Sequence, residues 1–120
     1  MADEIILLDT SILTDYYRKS DKANSVLFLL IQKEYQFAIS VVTKYEIYAG
    51  AMANQLLFWD TLLQQFQIIP FNEIIVDKAV ELNSSLKQKR KQIDLADLFI
   101  AASAVANNFS FATLNLKHFE

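Results

Sequence analysis

Short apolar runs alternate along this chain with longer segments in which apolar residues recur at helical spacing. A continuous apolar run of about four to eight residues is typical of a buried strand. Apolar residues three or four positions apart predict a helix with one buried face. The predicted strands cover Ile5–Leu8, Gln36–Ser40, the segment around Ile68 and Ile69, and residues 109–114, and the predicted helices cover residues 11–19, 23–34, 43–54 and 54–66, a long segment after Asn72, and residues 95–108.

Strands that alternate with helices in this way are typical of a mainly parallel sheet with helices on both faces. The pattern therefore predicts an α/β fold with about four strands. A length of 120 residues fits a single domain over residues 1–120. In such sheets, ligands bind at the carboxyl ends of the strands, near a switch in strand order. Asp9 directly follows the first predicted strand, and Thr113 and Asn115 lie near the end of the fourth.

The composition excludes several classes of site. The chain has one Gly, one Pro and no Cys. A single Gly cannot form a glycine-rich phosphate loop, and so few turn residues argue against an all-β fold. Without Cys there is no disulfide framework and no thiolate site. No apolar run is long enough for a signal peptide or a membrane span, so we expect a cytoplasmic protein with no membrane partner.

The net charge of −3 bears on any role with nucleic acid. An acidic chain needs a local basic patch or bound cations to hold phosphates. The sequence KQKRK at residues 87–91 has four positive charges in five residues. It is either a solvated helix end or one flank of a groove that binds nucleic acid.

Three carboxylates occur where such a fold would gather polar groups. Asp9 either caps its own helix or faces a ligand. Glu46 follows the second strand by a few residues, and it is either a solvated helix residue or a second group at the same edge. Asp97 begins an almost wholly apolar helix, where a carboxylate is costly to bury unless it is paired, capped or bound to a metal. Asp94, three residues earlier, is predicted to cap that helix.

Carboxylates in this arrangement suit Mg²⁺ or Mn²⁺, which prefer hard oxygen ligands. One His and no Cys cannot make an ordinary zinc centre. A phosphatase with an Asp nucleophile would have a second Asp two residues after the first, where this chain has Ser11. The nucleophile elbow of a serine hydrolase is also missing.

Four segments together resemble the PIN-domain family, and within it the VapC-type toxins of toxin–antitoxin pairs. They are LLDTSIL at residues 7–13, KYEIYAGA at 44–51, ADLFIAASAVANN at 96–108 and FATLNLKHFE at 111–120. Their order and spacing match over essentially the whole chain. The resemblance implies a three-layer α/β/α PIN-like fold and a metal-dependent ribonuclease.

The resemblance also implies roles for individual residues. Asp9, Glu46 and Asp97 would hold one or two Mg²⁺ or Mn²⁺ ions, and Asn115 would position water or the scissile phosphate. Thr10 would orient Asp9 without binding the metal itself. Thr113 belongs to the same family motif as Asn115. His118 occupies the place where many relatives have a fourth Asp, and Asp94 is a candidate to compensate for it. The basic residues predicted near the site, and therefore candidates to contact RNA, are Arg18, Lys44 and Lys117.

The implied partners are an RNA of the transfer or ribosomal class, a cognate antitoxin and a second copy of the chain. Tyr16, Tyr17 and Trp59 are predicted to contribute to the antitoxin surface. The change to His118 leaves a second hypothesis open, namely a PIN module that binds RNA or protein without cleaving it. A third is a phosphoesterase that acts on DNA or on a small molecule.

Overall fold

The secondary structure follows the apolar pattern closely. The computed structural model describes residues 4–115. Short 3₁₀ turns at Lys22–Asn24 and Ala53–Gln55 precede the second and fourth helices. The elements are β1 (Ile5–Leu8), α1 (Thr10–Arg18), α2 (Val26–Ile31), β2 (Gln36–Ser40), α3 (Val41–Gly50), α4 (Leu56–Leu63), β3 (Gln67–Ile69), α5 (Glu73–Gln88), α6 (Leu95–Ala106) and β4 (Ser110–Ala112).

Serine side chains explain two helix starts that differ from the sequence prediction. The helix predicted over residues 23–34 begins as an α-helix only at Val26, because Ser25 accepts a hydrogen bond from the Phe28 amide and acts as the N-cap. The helix predicted over residues 43–54 starts earlier, directly after β2. There the Ser40 side chain accepts from the Val42 amide, so the strand passes into α3 without a loop.

The four strands form one parallel sheet in the order β3-β2-β1-β4. The chain therefore moves from β1 to β2 to β3 in one direction and then returns to place β4 on the other side of β1. This reversal puts the switch in strand order between β1 and β4, where a crevice opens at the carboxyl ends of the strands.

Helices cover both faces of the sheet. On one face, Ile6 and Leu8 of β1 pack with a cluster that includes Leu13 of α1, Leu27 of α2 and Trp59 of α4. On the other face, Leu7 packs with residues of α5 and α6, including Ile75 and Ile100. Consecutive residues of β1 thus face opposite layers, as the side-chain alternation of a strand requires. The predicted three-layer α/β/α arrangement is confirmed.

The topology brings the start of α6 to the same edge as Asp9. Because β4 is parallel to β1 and follows α6 after a short link, α6 runs back along the sheet and its N-terminal turn lies at the carboxyl edge. The basic run lies at the opposite end, since Lys89 lines a cavity with Val105 and Phe109 at the C-terminal end of α6. That position favours a solvated helix end over a flank of the active edge. Within residues 4–115, no helix is both long and apolar enough to cross a membrane.

Candidate active site

Asp9 is a buried carboxylate held by two hydroxyl groups at the switch in strand order. Asp9 is only 3% exposed to solvent. The hydroxyls of Ser11 and Thr113 each donate to Oδ2 of Asp9, both at 2.7 Å. Asp9 occupies the N-cap position of α1, but its side chain makes no capping hydrogen bond. The capping interpretation therefore does not describe this carboxylate.

Ser11 connects the end of β1 to the segment after β4. In addition to its bond to Asp9, its Oγ accepts the Leu114 backbone N–H at 3.0 Å. The Asn115 N–H donates to the Thr113 hydroxyl, also at 3.0 Å. The sequence predicts no role for Ser11, whose position matters there only because a phosphatase would have Asp in it. Its position two residues after a strand-end Asp, where a side chain can bond back to a neighbour, was the available signal.

Glu46 has a separate hydroxyl partner. The Thr10 hydroxyl donates to Oε1 of Glu46 at 2.7 Å and lies 3.1 Å from the hydroxyl of Thr43, which is fully buried. The family resemblance predicts that Thr10 orients Asp9, but its hydroxyl donates to Glu46, so this prediction is wrong. Thr10 is the first residue of α1 and Glu46 lies within α3, so the bond links these two helices.

Asp94 and Asp97 lie at the N-terminal end of α6. Asp94 is the N-cap residue by backbone position, but its side chain makes no capping hydrogen bond and it is exposed. The prediction that it caps the helix therefore holds for its position and not for its side chain. Asp97 is half-buried in the first turn, where the helix dipole favours a negative charge. Since α3 packs against α6, both helices contribute to the same edge of the sheet.

A cavity of about 310 Å³ lies beside Glu46 and Thr10. Arg18 of α1 lines it, so this predicted RNA contact is next to the candidate site. Lys44 does not line this cavity. It lines a different one, together with Tyr48 and Asp60. Lys44 and Glu46 are two residues apart on α3, which turns their side chains about 200° from each other.

Trp59 is buried, which corrects its predicted place on the antitoxin surface. It is 4% exposed and packs in the core beside Tyr17, with ring centroids 5.3 Å apart. Tyr16 and Tyr17 are only partly buried. The more accessible apolar groups nearby are Leu57 and Met52, which are 78% and 68% exposed.

The PIN domain profile matches residues 6–120. The chain belongs to the PIN domain family. The sequence resemblance to this family is thus confirmed.

Relatives and solved structures agree with this assignment. Over 116 residues, the PIN domain is 32% identical to Ribonuclease VapC1 of Methanocaldococcus jannaschii. The match covers 96% of this chain and 79% of that protein. It is similar to VapBC2 of Rickettsia felis, solved bound to a promoter DNA fragment, with a TM-score of 0.81, 28% identity and coverage of 96% of this chain and 90% of that one. This chain is also similar to a toxin–antitoxin complex from Klebsiella pneumoniae, with a TM-score of 0.76 and 28% identity. The match covers 95% of this chain and 89% of that one.

The acidic groups of this PIN domain form two hydroxyl-bound units and not a closed metal cage. Among residues 4–115, no three acidic or histidine side chains are arranged to hold a metal ion. The chemistry of the donors nevertheless fits a hard cation. Asp9 is a nearly buried carboxylate that forms no salt bridge within the described part of the chain, and a buried charge of this kind is costly without a counter-charge. Lys117 and His118 lie outside the described residues.

Proposed function

We propose that this PIN domain is the toxin of a toxin–antitoxin pair and that it hydrolyses RNA phosphodiester bonds with Mg²⁺ or Mn²⁺ as cofactor, in the cytoplasm. The observation that carries the proposal is the buried Asp9 carboxylate, fixed by two hydroxyls at the carboxyl edge of the sheet. The relation to Ribonuclease VapC1 supports RNA as the substrate class. A structured RNA of the transfer or ribosomal class is the expected target.

Some residues of this chain would hold the cation, and others orient the carboxylate that holds it. Asp9, with Glu46 and Asp97, would hold the cation, and their oxygen atoms suit Mg²⁺ or Mn²⁺. A bound ion of this kind lowers the pKa of water and neutralises charge on the phosphate. Ser11 and Thr113 keep the Asp9 carboxylate in one orientation by donating to the same oxygen.

The segment after β4 places Asn115 at the same edge. Its backbone N–H is bonded to Thr113, which is bonded to Asp9, so the Asn115 backbone is tied to the carboxylate through one hydroxyl. An amide side chain there would position water or the scissile phosphate. Arg18, from the cavity beside Glu46, would contact a neighbouring phosphate.

An activity assay with matched variants tests this function. Purified protein is incubated with total RNA, with Mg²⁺ or Mn²⁺ and then with excess EDTA, and in parallel with single-stranded and double-stranded DNA. We expect cleavage of RNA that requires the ion and is lost in Asp9→Asn and Asp97→Asn. Asp77→Asn is the control, because Asp77 is an exposed carboxylate on α5. Cleavage that survives both site changes contradicts the assignment, and preferential cleavage of DNA points to a different phosphoesterase.

A second candidate is a PIN module that binds RNA or protein without cleaving it. The observation that favours it is that no three acidic or histidine groups within residues 4–115 are arranged to hold a metal ion. The same assay separates the two functions, since a binding module shifts RNA in a gel without producing fragments under any metal condition.

The expected antitoxin would bind the exposed apolar groups of α1 and α4. Tyr16, Leu57 and Phe58 line an open groove of about 530 Å³. The similarity to a toxin–antitoxin complex supports a protein partner. Leu57→Glu is expected to weaken binding of the antitoxin encoded beside this gene, while Glu81→Gln on α5 leaves it unchanged, as measured by calorimetry.

The expected second copy would pack on α5 and α6. Ile74, Val80 and Leu95 are 62%, 60% and 64% exposed. Val80 and Leu95 line one shallow pocket between α5 and α6, and contiguous exposed apolar groups are typical of an interaction surface. Val80→Lys is expected to convert a dimer to a monomer in light scattering, and a monomeric wild-type protein contradicts this part of the proposal.

A further inference from the structure

The cavity beside Glu46 has the dimensions of a small-ligand site. Its volume is about 310 Å³, near the lower end of the roughly 300–1,000 Å³ that is common for such sites. It lies between α1, α3 and α4, and its wall includes Thr10 and Glu46 of the candidate active site. A group bound in it would therefore lie next to the reacting region.

One part of the cavity wall is aromatic and has a fixed amide. Tyr17 and Trp59 both line it, and their rings are stacked with an interplanar angle of 28°. The Gln55 amide is held at both ends, because Nε2 donates to the Tyr17 hydroxyl at 3.0 Å and Oε1 accepts from the Met52 N–H at 2.7 Å. Aromatic rings beside an oriented amide are the groups that proteins use to stack an unpaired base and to bind its edge.

Arg18 gives the rim of the cavity a positive charge. It is exposed, and it forms no ion pair with any residue from 4 to 115. An unpaired guanidinium at the mouth attracts a phosphate and repels a cationic side chain. The part of the cavity lined by Arg18 therefore suits a nucleotide phosphate, whereas the Glu46 carboxylate on the same wall is the group that a basic side chain would meet.

The only glycine of the chain, Gly50, also lines this cavity. Its φ angle is not in the left-handed region, and a Cβ placed on it would meet no atom within 4 Å. Glycine is unfavourable in a helix relative to alanine, so neither backbone conformation nor packing requires it at the end of α3. The lack of a side chain at Gly50 leaves the cavity open. Gly50 lies four residues after Glu46 and so on the same helix face.

We propose that this cavity binds one unpaired nucleotide of the RNA, adjacent to the phosphate that is cleaved. The base packs against the part of Tyr17 that its stack with Trp59 leaves accessible, the nucleotide phosphate lies on Arg18, and Gly50 keeps the cavity open. The inference rests on the proposed ribonuclease function and adds to it a subsite that selects for single-stranded RNA.

Trp59 reports occupation of the site directly, because it is the only Trp of the chain and it lines the cavity. Its fluorescence is followed, without metal, during titration with the four nucleoside 5′-monophosphates and with a short single-stranded RNA. We expect a saturable change in the wild-type protein. Gly50→Leu should weaken binding about tenfold or more, the effect of losing one base–aromatic stack, and Gly50→Ala should fall between the two.

The matched control is Ala49→Leu, which places the same Leu side chain at an exposed neighbouring position that does not line the cavity. Circular dichroism and thermal unfolding establish that both Leu variants are folded. With total RNA, mapped cleavage ends should show a base preference beside the cut that Gly50→Leu reduces and Ala49→Leu retains.

The outcomes separate this inference from the function on which it rests. Nucleotide binding that Gly50→Leu removes supports the subsite even if the protein cleaves no RNA. If RNA is cleaved, but Gly50→Leu cuts the same bonds at the same rate and binds nucleotides like wild type, the subsite is overturned while the ribonuclease stands. A response to N-acetyl-arginine amide and not to nucleotides also overturns it, because the cavity then receives a protein side chain.

Discussion

The hydroxyl of Thr113 donates to Oδ2 of Asp9 at 2.7 Å, although the two residues are 104 positions apart. Both are buried, with exposures of 8% and 3%. The Asp9 backbone N–H also donates to the Ala112 carbonyl at 2.9 Å, so the ends of β1 and β4 are joined by main chain and side chain together. The carboxylate is thereby fixed at the point where the strand order switches.

Thr113→Val should lower stability and activity together. The change keeps the shape of the side chain but removes a hydrogen bond to a buried carboxylate, a loss of about 1.5–3 kcal/mol. Urea unfolding measures the first effect and RNA cleavage the second. Thr113→Ser retains the hydroxyl and should recover most of both, whereas losses in the Ser variant with none in the Val variant would show that the methyl group matters and the bond does not.

Asp9→Asn should abolish cleavage without lowering the free energy of unfolding in EDTA. The amide oxygen of Asn can accept from both Ser11 and Thr113, while the buried negative charge is removed. Thermal unfolding of the two proteins in EDTA tests this expectation. A marked loss of stability in Asp9→Asn would mean that the charge is already compensated within the metal-free protein.

Mg²⁺ or Mn²⁺ should raise the melting temperature of the wild-type protein. A ligand that binds only the folded state stabilises it by about 2.7 kcal/mol at a concentration one hundred times its Kd. The shift should disappear in Asp9→Asn and persist in Asp77→Asn, and Ca²⁺ serves as the comparison ion. Equal shifts in all three proteins would place the ion elsewhere.

Tyr48 and Asp60 give the fold an alkaline pH dependence. The Tyr48 hydroxyl donates to Oδ1 of Asp60 at 2.6 Å and links α3 to α4. This hydrogen bond, together with burial and the negative charge of Asp60, raises the pKa of Tyr48 from its ordinary 10.0 to about 12. Because the folded-state pKa is the higher one, the stabilisation is complete below about pH 10 and is lost as the pH rises towards 12.

Tyr48→Phe should therefore cost about 0.5–1 kcal/mol at neutral pH, the lower range for a hydrogen bond, since this one is solvent-exposed. The difference from wild type should shrink between pH 10 and pH 12 in urea unfolding. Tyr45→Phe is the control, because Tyr45 is 72% exposed. A difference that stays constant to the alkaline limit would exclude the phenol as its source.

Asn72 and Asp94, the N-cap residues of α5 and α6, should differ in how much they stabilise their helices. Asn72 accepts the Ile75 N–H at 3.0 Å, whereas the Asp94 side chain makes no such bond. Asn72→Ala should cost about 1 kcal/mol of stability with little effect on cleavage. Asp94→Ala should cost clearly less, and any loss of activity it causes would indicate a role at the site and not in capping. Chemical unfolding and RNA cleavage on the same preparations separate these effects.

The sequence by itself determined the local elements and the fold class. The bounds of β1 follow from its apolar run alone, because a strand covered on both faces needs apolar residues at consecutive positions. The apolar residues of β2 mark only its centre, since the strand begins at Gln36 and ends at Ser40. The alternation of strands and helices was enough to predict a parallel sheet with two helical layers. It also placed Asp9 at the carboxyl end of a strand, where a parallel sheet presents its polar groups.

Only the tertiary structure decided which side chains meet. Thr10 bonds to Glu46 and not to Asp9, Ser11 ties the end of β1 to Leu114, and Lys44 faces away from Glu46. These relations depend on strand order and on the rotation of each helix about its axis. The same long-range packing buries Trp59, which from its sequence was equally suited to a surface. Local propensity cannot encode such choices, because each is set by contacts between residues far apart in the chain.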